Sequence, residues 1–281
     1  MRSESLKTVV RAAVPRPVRN WLRSPSRSAE WLWDAAAFSL GATKSLALLP
    51  DWSVVCHPHF YKVVYQAQIA DPEQASEFRN FVRHCSCKMF LFDIGAHFGI
   101  FSLAAAHGGG KAVAVDPSPT AAKMIATEAA LNGCAKSIQI LQAAVSDANG
   151  VIGMLSSGVF SDGYFKFARG RAKSDLTQAQ ALTIDQMSLQ YGSPTHVKID
   201  VEGHEAAVLR GARETLRRVA PVLFLELHNQ IVAADGGDPR STLDELADLG
   251  YSVIGVDGSA ISHDAILGNP IIRVVGIRAQ V

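Results

Sequence analysis

Three carboxylates and a histidine crowd one short stretch, HVKIDVEGHEAAVLRGA, residues 196–212, as Asp200, Glu202, Glu205 and His204. Unpaired charge is costly to bury, so such a cluster is either solvated or used. Similar chemistry recurs where other apolar runs end. Asp93 opens the loop Asp93-Ile94-Gly95-Ala96-His97-Phe98-Gly99, Asp116-Pro117-Ser118 follows KAVAV, Ala143-Ala144 follows SIQILQ, and Glu226-Leu227-His228-Asn229 closes PVLFLEL. A carboxylate in such a place can accept hydrogen bonds from a diol or face a cation, and an imidazole beside it can take up a proton.

The elements that must position these residues alternate along the chain. KMFLFDIG and PVLFLELH are unbroken apolar runs, the pattern of strands covered on both faces in a parallel sheet. EQASEFRNFVRHC, from residue 73, places Phe78, Phe81 and Val82 on one helical face. GIFSLAAAH reads as a helix, KAVAVD as a strand, PTAAKMIATEAALNG as a helix stopped at Asn132-Gly133, and SIQILQAAV as a strand. Residues 147–181 read as an irregular insertion with a hairpin signal at Asn149-Gly150. THVKID is then a strand and HEAAVLRGARETLRRV a helix, while STLDELADLG is a helix capped by Ser241 and stopped by Gly250. YSVIGVDG and NPIIRVVGIRA read as two final strands joined by a turn. The alternation predicts an α/β fold, a three-layer Rossmann-like sandwich with a mostly parallel sheet and a terminal antiparallel hairpin. A basic leader and helical segment over residues 1–50 precede the main domain over 51–281.

At 281 residues, 48% of them hydrophobic, the chain can bury a full core, and a net charge of +1 gives no support to a nucleic-acid-binding body. The cations are unevenly spread. Arg2, Lys7, Arg11, Arg16, Arg19, Arg23 and Arg27 are opposed by Glu4 alone before Ser28, and Val9, Val10, Val14, Val18, Trp21 and Leu22 lie among them. That mixture suits weak peripheral contact with an anionic membrane face, although Pro15 and Pro17 interrupt any single helix. A disordered arm without a target reads equally well. The leader lacks the apolar core and cleavage site of a signal peptide, and Glu30, Asp34 and Lys44 break the next apolar stretch, so neither a signal peptide nor a membrane span is expected. Cys56, Cys85, Cys87 and Cys134 make no disulfide framework in a chain of this length, so a reduced, cytoplasmic setting is expected. Cys56-His57-Pro58-His59 and His84-Cys85-Ser86-Cys87 look like halves of a zinc site, but their spacing is not that of zinc ligands; buried thiols and surface histidines are expected.

In an open α/β sheet ligands bind beyond the carboxyl ends of the strands, so the acidic run ends belong together. The first loop resembles a dinucleotide fingerprint with His97 in place of the glycine that lets backbone approach a pyrophosphate. Asp93 would repel phosphates there and attract a cation. S-adenosylmethionine carries a sulfonium and an ammonium and no phosphate, so the loop favours it over NAD, with Asp116 suited to the ribose hydroxyls. The cofactor-binding candidates are Asp93, Gly95, Ala96, His97, Gly99, Asp116, Pro117, Ser118 and Ala144.

FDIGAHFGIFS (92–102), VAVDPSP (113–119), ALTIDQM (181–187), VKIDVEGHEAAVLRGA (197–212) and PVLFLELH (221–228) together resemble the FkbM methyltransferases, a branch of the class I S-adenosylmethionine-dependent enzymes. The family usually has Asn at His97 and Glu at Asp116. The resemblance implies methyl transfer to a hydroxyl of a sugar, glycolipid or other secondary metabolite, with the junction after Ile199 beside the transferring methyl group. Asp200 is the first candidate to contact the cofactor ammonium or the acceptor hydroxyl. His228 is the candidate general base, as a neutral imidazole, and Glu226 can orient it or hold the acceptor; Glu202 completes the catalytic set. The layout also resembles catechol O-methyltransferase, in which acids at the same strand tips hold magnesium, so a divalent cation is a further candidate.

Structural explanations compete at several positions. Glu202 and Glu205 suit a helix N-terminus through its dipole alone. Lys198 can snorkel out of the sheet face, His204 reads as a surface residue, and Asp185 as a helix cap. Lys166, Arg169, Arg171 and Lys173, with Phe160, Tyr164, Phe165 and Phe167, suit a sugar or acidic glycan, against a solvated loop face. Two other functions compete. An NAD(P)-linked oxidoreductase is disfavoured by His97 and Asp93, and a catalytically idle partner by the intact acids.

Overall fold

The computed structural model describes residues 25–156, 165–167 and 177–278. Helix α1 (Pro25–Ser39) leads into the hairpin of β1 (Lys44–Leu49) and β2 (Trp52–Cys56), then α2 (Pro58–Val64), a π-helical turn (Tyr65–Ala70) and α3 (Pro72–His84). The start of α3 follows from its first residues: Asp71 accepts from the backbone N–H groups of Glu73 and Gln74, and Pro72 sits where no N–H is needed. Strand–helix units follow: β3 (Phe90–Ile94), α4 (Ile100–His107), β4 (Lys111–Val115), α5 (Pro119–Leu131) and β5 (Ile138–Leu141). Then come β6 (Ala144–Val145), β7 (Gly150–Ser156), β8 (Phe165–Phe167), β9 (Thr177–Leu182), α6 (Ile184–Tyr191), β10 (His196–Ile199), α7 (Glu205–Arg210) and α8 (Arg213–Val219). The chain continues through β11 (Val222–Leu227), α9 (Asn229–Ala234), α10 (Arg240–Asp248), β12 (Ser252–Gly255), α11 (His263–Leu267) and β13 (Ile272–Ile277).

The expected sandwich is present. Seven strands run in the order β12-β13-β11-β10-β3-β4-β5, parallel from β11 to β5, with β13 antiparallel to both its neighbours. One face is covered by Phe78 and Phe81 of α3, Leu103 of α4 and Ile125 of α5, against Leu91, Ala114 and Phe224. The other is covered by Met187 of α6, Leu209 of α7, Leu216 of α8 and Leu246 of α10, against Phe92, Ile199 and Leu225. Each of the leucine, isoleucine, methionine and phenylalanine side chains among these, fully buried, stabilises the fold by about 1.5–3 kcal/mol. No helix among the described residues is long and apolar enough to cross a membrane.

Several local expectations are corrected. SIQILQAAV is two strands, because β6 leaves the main sheet to join a four-stranded sheet in the order β6-β9-β7-β8. The insertion therefore contains strands, and Asn149-Gly150 is not a hairpin turn, since both flanking strands pair with β9. Its Arg169, Arg171, Lys173, Phe160 and Tyr164 lie outside the described residues. HEAAVLRGARETLRRV is two helices. An added Cβ on Gly211 would lie 2.1 Å from the Ser146 carbonyl oxygen, so the chain turns there against a neighbouring strand end. α10 begins at Arg240, before Ser241, whose hydroxyl donates to the Asp238 carbonyl, and α11 separates the last two strands.

Candidate active site

β3 and β4 are parallel neighbours, with Asp93 opposite Ala114, so their carboxyl ends lie side by side. The loop after β3 is tied across that junction by the Gly95 and Ala96 N–H groups, which both donate to the Val115 carbonyl. Gly95 has φ +76, and an added Cβ would sit 1.8 Å from the carbonyl oxygen of Asp200. The glycine therefore lets the loop lie against the end of β10. His97 follows at φ +49, a region that His and Asn enter more readily than most residues, and its ring stacks on Phe98 with centroids 4.0 Å apart.

Both acids at these strand tips are buried and engaged. Asp93 accepts from the Ser102 hydroxyl (2.7 Å) and N–H (3.1 Å), which fixes the first turn of α4. Burial pushes its carboxyl up to about 6, against the Ser102 hydrogen bonds and the Lys198 charge. Asp116 accepts from His97 N–H (2.9 Å) on one oxygen and Ser118 N–H (2.8 Å) on the other. Burial raises it to about 7 despite those bonds, and Asp93 and Asp200 add to the rise. Asp93, Gly95, Ala96, His97, Asp116, Pro117 and Ala144 line one cavity, together with Asp200, Glu202, Glu226 and His228. Gly99 and Ser118 instead start the helices below it: Gly99 is the N-cap of α4, and the Ser118 hydroxyl accepts from Ala121 N–H.

At the other end of the cavity β10, β11 and β13 bring charges together. Lys198 aligns with Asp93 on one side and Phe224 on the other and is 1% exposed, so it does not snorkel. Its ammonium lies 3.2 Å from Glu77 of α3 and 3.9 Å from Asp200. Burial disfavours its charge, but Glu77, Asp200 and Glu226 outweigh that and hold it protonated. Arg273, opposite Glu226 in the antiparallel pair, donates to the Glu226 carboxylate at 2.5 Å and reaches Glu77 at 3.4 Å. Burial and Asp200 push the Glu226 carboxyl upward, against Lys198 and Arg273.

His228, 3% exposed, is held by Glu205: Nδ1 lies 2.8 Å from its carboxylate, leaving Nε2 3.8 Å from both Asp200 and Glu226. Burial works against its protonation, but the Glu205 hydrogen bond and the charges of Asp200, Glu205 and Glu226 prevail and raise its pKa to about 9. The neutral imidazole expected from the sequence is therefore an imidazolium at neutral pH.

Other expectations are settled nearby. Glu205 is 1% exposed, which a helix-dipole role alone does not require. His204 is half-buried, with Nε2 2.9 Å from the Ser146 hydroxyl. Asp185 is a cap, though of α8: it accepts from the Glu214 and Thr215 N–H groups, while Thr183 caps its own helix α6. His57 and His59 are buried, contrary to expectation; Cys56 is buried as expected, while Cys85 and Cys134 are half-buried and Cys87 is exposed. Among the described residues the only group of His, Cys and acids placed to hold a metal ion is Asp200, Glu226 and His228, whose ligand atoms lie within 4.8 Å of one another. Sequence reading missed Glu77 and Arg273. The available signal was a charge inside an otherwise apolar face, in SEFRNF and in PIIRVVGI.

The family profile described as the methyltransferase FkbM domain matches residues 93–253, from the first strand-tip acid to the last strand but one. The chain belongs to the FkbM methyltransferase family. No curated protein matches it significantly. Among solved structures it is similar to an FkbM methyltransferase from Methylobacillus flagellatus, at 16% identity and a TM-score of 0.46, over 94% of this chain and 62% of that one. It is also similar to an O-methyltransferase from Bacillus cereus in complex with SAH, at 13% identity and a TM-score of 0.44, over 97% and 96%. Such likenesses carry no function across. Of the charged groups around the cavity of this FkbM methyltransferase, Glu77 and Arg273 lie outside the matched span.

Proposed function

We propose that the chain is an S-adenosylmethionine-dependent O-methyltransferase acting on a hydroxyl of a sugar, glycolipid or other secondary metabolite. The observation that carries this reading is the negative end of the cavity. Asp93 and Asp116 are buried at adjacent strand tips, and burial first, with the charge of Asp200 adding to it, raises the proton affinity of both. That field opposes a pyrophosphate and favours a ligand charged through a sulfonium and an ammonium. Each Asp116 oxygen accepts one backbone N–H and retains lone-pair capacity for a ribose diol.

Such a cofactor, when bound, supplies a methyl group on cationic sulfur. The residues of the chain must hold an acceptor hydroxyl in line and remove its proton. Asp200, with its side chain 35% exposed, is placed to accept from that hydroxyl. His228 Nε2 receives the proton once its own has been lost, and Glu205 retains Nδ1 and so fixes the ring. Glu226 and Glu202 border the same space and position the acceptor.

Calorimetry tests the cofactor half. S-adenosylmethionine and its demethylated product are expected to bind and NAD and NADP not to, and Asp116→Ala should weaken binding about a hundredfold or more by removing the hydrogen-bond acceptor for the ribose. Unchanged affinity in that variant would sink the assignment. Mass spectrometry of glycans and metabolites incubated with methyl-labelled cofactor tests the acceptor half.

The spacing of Asp200, Glu226 and His228 favours a second reading, in which a divalent cation orients the acceptor oxygen. Glu205 on Nδ1 leaves Nε2 as the ligand atom, which fits, while Arg273 already neutralises Glu226 and weakens the need for an ion. Exhaustive chelation decides between them. Without a metal role, turnover should survive it unchanged.

A further inference from the structure

The outward side of α1 carries residues that belong inside a protein. Ala29, Leu32, Trp33, Ala36 and Leu40, the last just past the helix end, are all exposed, Trp33 at 76% and Leu40 at 89%. At about 100° per residue they fall within an arc of roughly 100°. The opposite side is fixed. Asp34, 3% exposed, binds Lys62 at 2.9 Å and His59 at 3.4 Å, and Phe38 packs on His57 with ring centroids 4.6 Å apart. The helix therefore cannot rotate to hide Trp33 without pulling the buried Asp34 carboxylate from Lys62 and His59.

An apolar stripe of this kind marks a contact surface. The adjoining sequence indicates with what: residues 1–28 carry seven cations against one acid, interspersed with valines, Trp21 and Leu22. An anionic bilayer matches both features, its headgroups the cations and its acyl boundary the leucines and tryptophan, a residue that favours that boundary. We propose that Leu32, Trp33 and Leu40 form a membrane-contact face which, with the basic residues ahead of it, docks the protein on an anionic lipid surface. α2, to which Asp34 anchors α1, contributes Val63 and Val64 to the cavity wall, so the docked face lies one helix away from the site. Docking does not depend on which group the enzyme transfers.

Sedimentation of the full chain with vesicles of phosphatidylglycerol and phosphatidylcholine tests this. The wild type is expected to co-pellet at low salt, to be released as salt rises, and to stay in solution with phosphatidylcholine alone. W33S/L40S should partition about ten- to a hundredfold less, with an unchanged circular dichroism spectrum because both side chains are exposed. Brominated acyl chains should quench the wild-type tryptophan fluorescence more than that of Trp33→Phe. Equal pelleting of W33S/L40S, or no pelleting of the wild type at low salt, overturns the proposal. A wild-type dimer that W33S/L40S converts to a monomer also overturns it, because the face then belongs to a second copy. So does a Trp33 shielded from acrylamide in lipid-free protein, which places the leader itself over the stripe.

Discussion

Gly95→Ala is expected to cost the protein more than about 4 kcal/mol of stability and all measurable cofactor binding. The added methyl would stand 1.8 Å from the Asp200 carbonyl oxygen, and the obstacle is backbone at a strand end, with no flexible side chain to yield. The φ of +76 adds strain for any residue with a Cβ. Relief requires the loop to lift from β10 or the β10 end to move outward. Lifting the loop breaks the Gly95 and Ala96 hydrogen bonds to Val115, and moving the β10 end displaces Asp200, so one half of the cavity or the other is lost. Chemical denaturation and calorimetry on the purified variant check this. A variant that unfolds at the wild-type midpoint and binds cofactor normally would show that the loop does not need this close approach.

Loss of the imidazole should act on rate and leave cofactor affinity largely intact. His228→Ala and Asp200→Asn are each expected to lower turnover by about two to four orders of magnitude. The wild-type pH profile carries the sharper test. Because Glu205, Asp200 and Glu226 hold the imidazolium to about pH 9, with Lys198 and Arg273 farther along the same network, only a minor fraction is free to accept a proton at neutrality. The rate should rise about tenfold per pH unit and level off near 9. Stability should move the other way. A histidine raised from 6.5 to about 9 contributes fully below 6.5, and that contribution fades as pH rises through 9, so the wild type should lose stability over an interval in which His228→Gln does not. A flat rate profile, or full activity in His228→Ala, places the base elsewhere.

The sheet is legible because its central strands are buried on both faces, which leaves apolar runs interrupted only by an acid near the end, as in FLFDI and VLFLEL. Asp93 and Asp116 stand out in the sequence because each ends such a run, and both line the cavity, although each also accepts hydrogen bonds from the chain itself. Residues whose role depends on tertiary proximity were less so. Glu205 reads locally as an acid favoured by a helix dipole, whereas its partner His228, 2.8 Å away, comes from a different strand end, and nothing local links Glu77 to Arg273 or Lys198. The break at Gly211 is imposed by the Ser146 carbonyl on a different element, so helical periodicity ran straight through it. β6 was hidden because a two-residue strand has no period to read.

The place of β13 between β11 and β12 bears on how the enzyme is made. Of the strands in this sheet β13 comes last along the chain, so until it is made β11 presents a free apolar edge, and Glu226 lacks the guanidinium of Arg273. An open edge of that kind invites pairing with another nascent chain. The last strand must then insert between two already placed, closing the edge and completing the charge network in one event. A chain shortened ahead of Ile272 is therefore expected to keep that edge open and to be prone to aggregation.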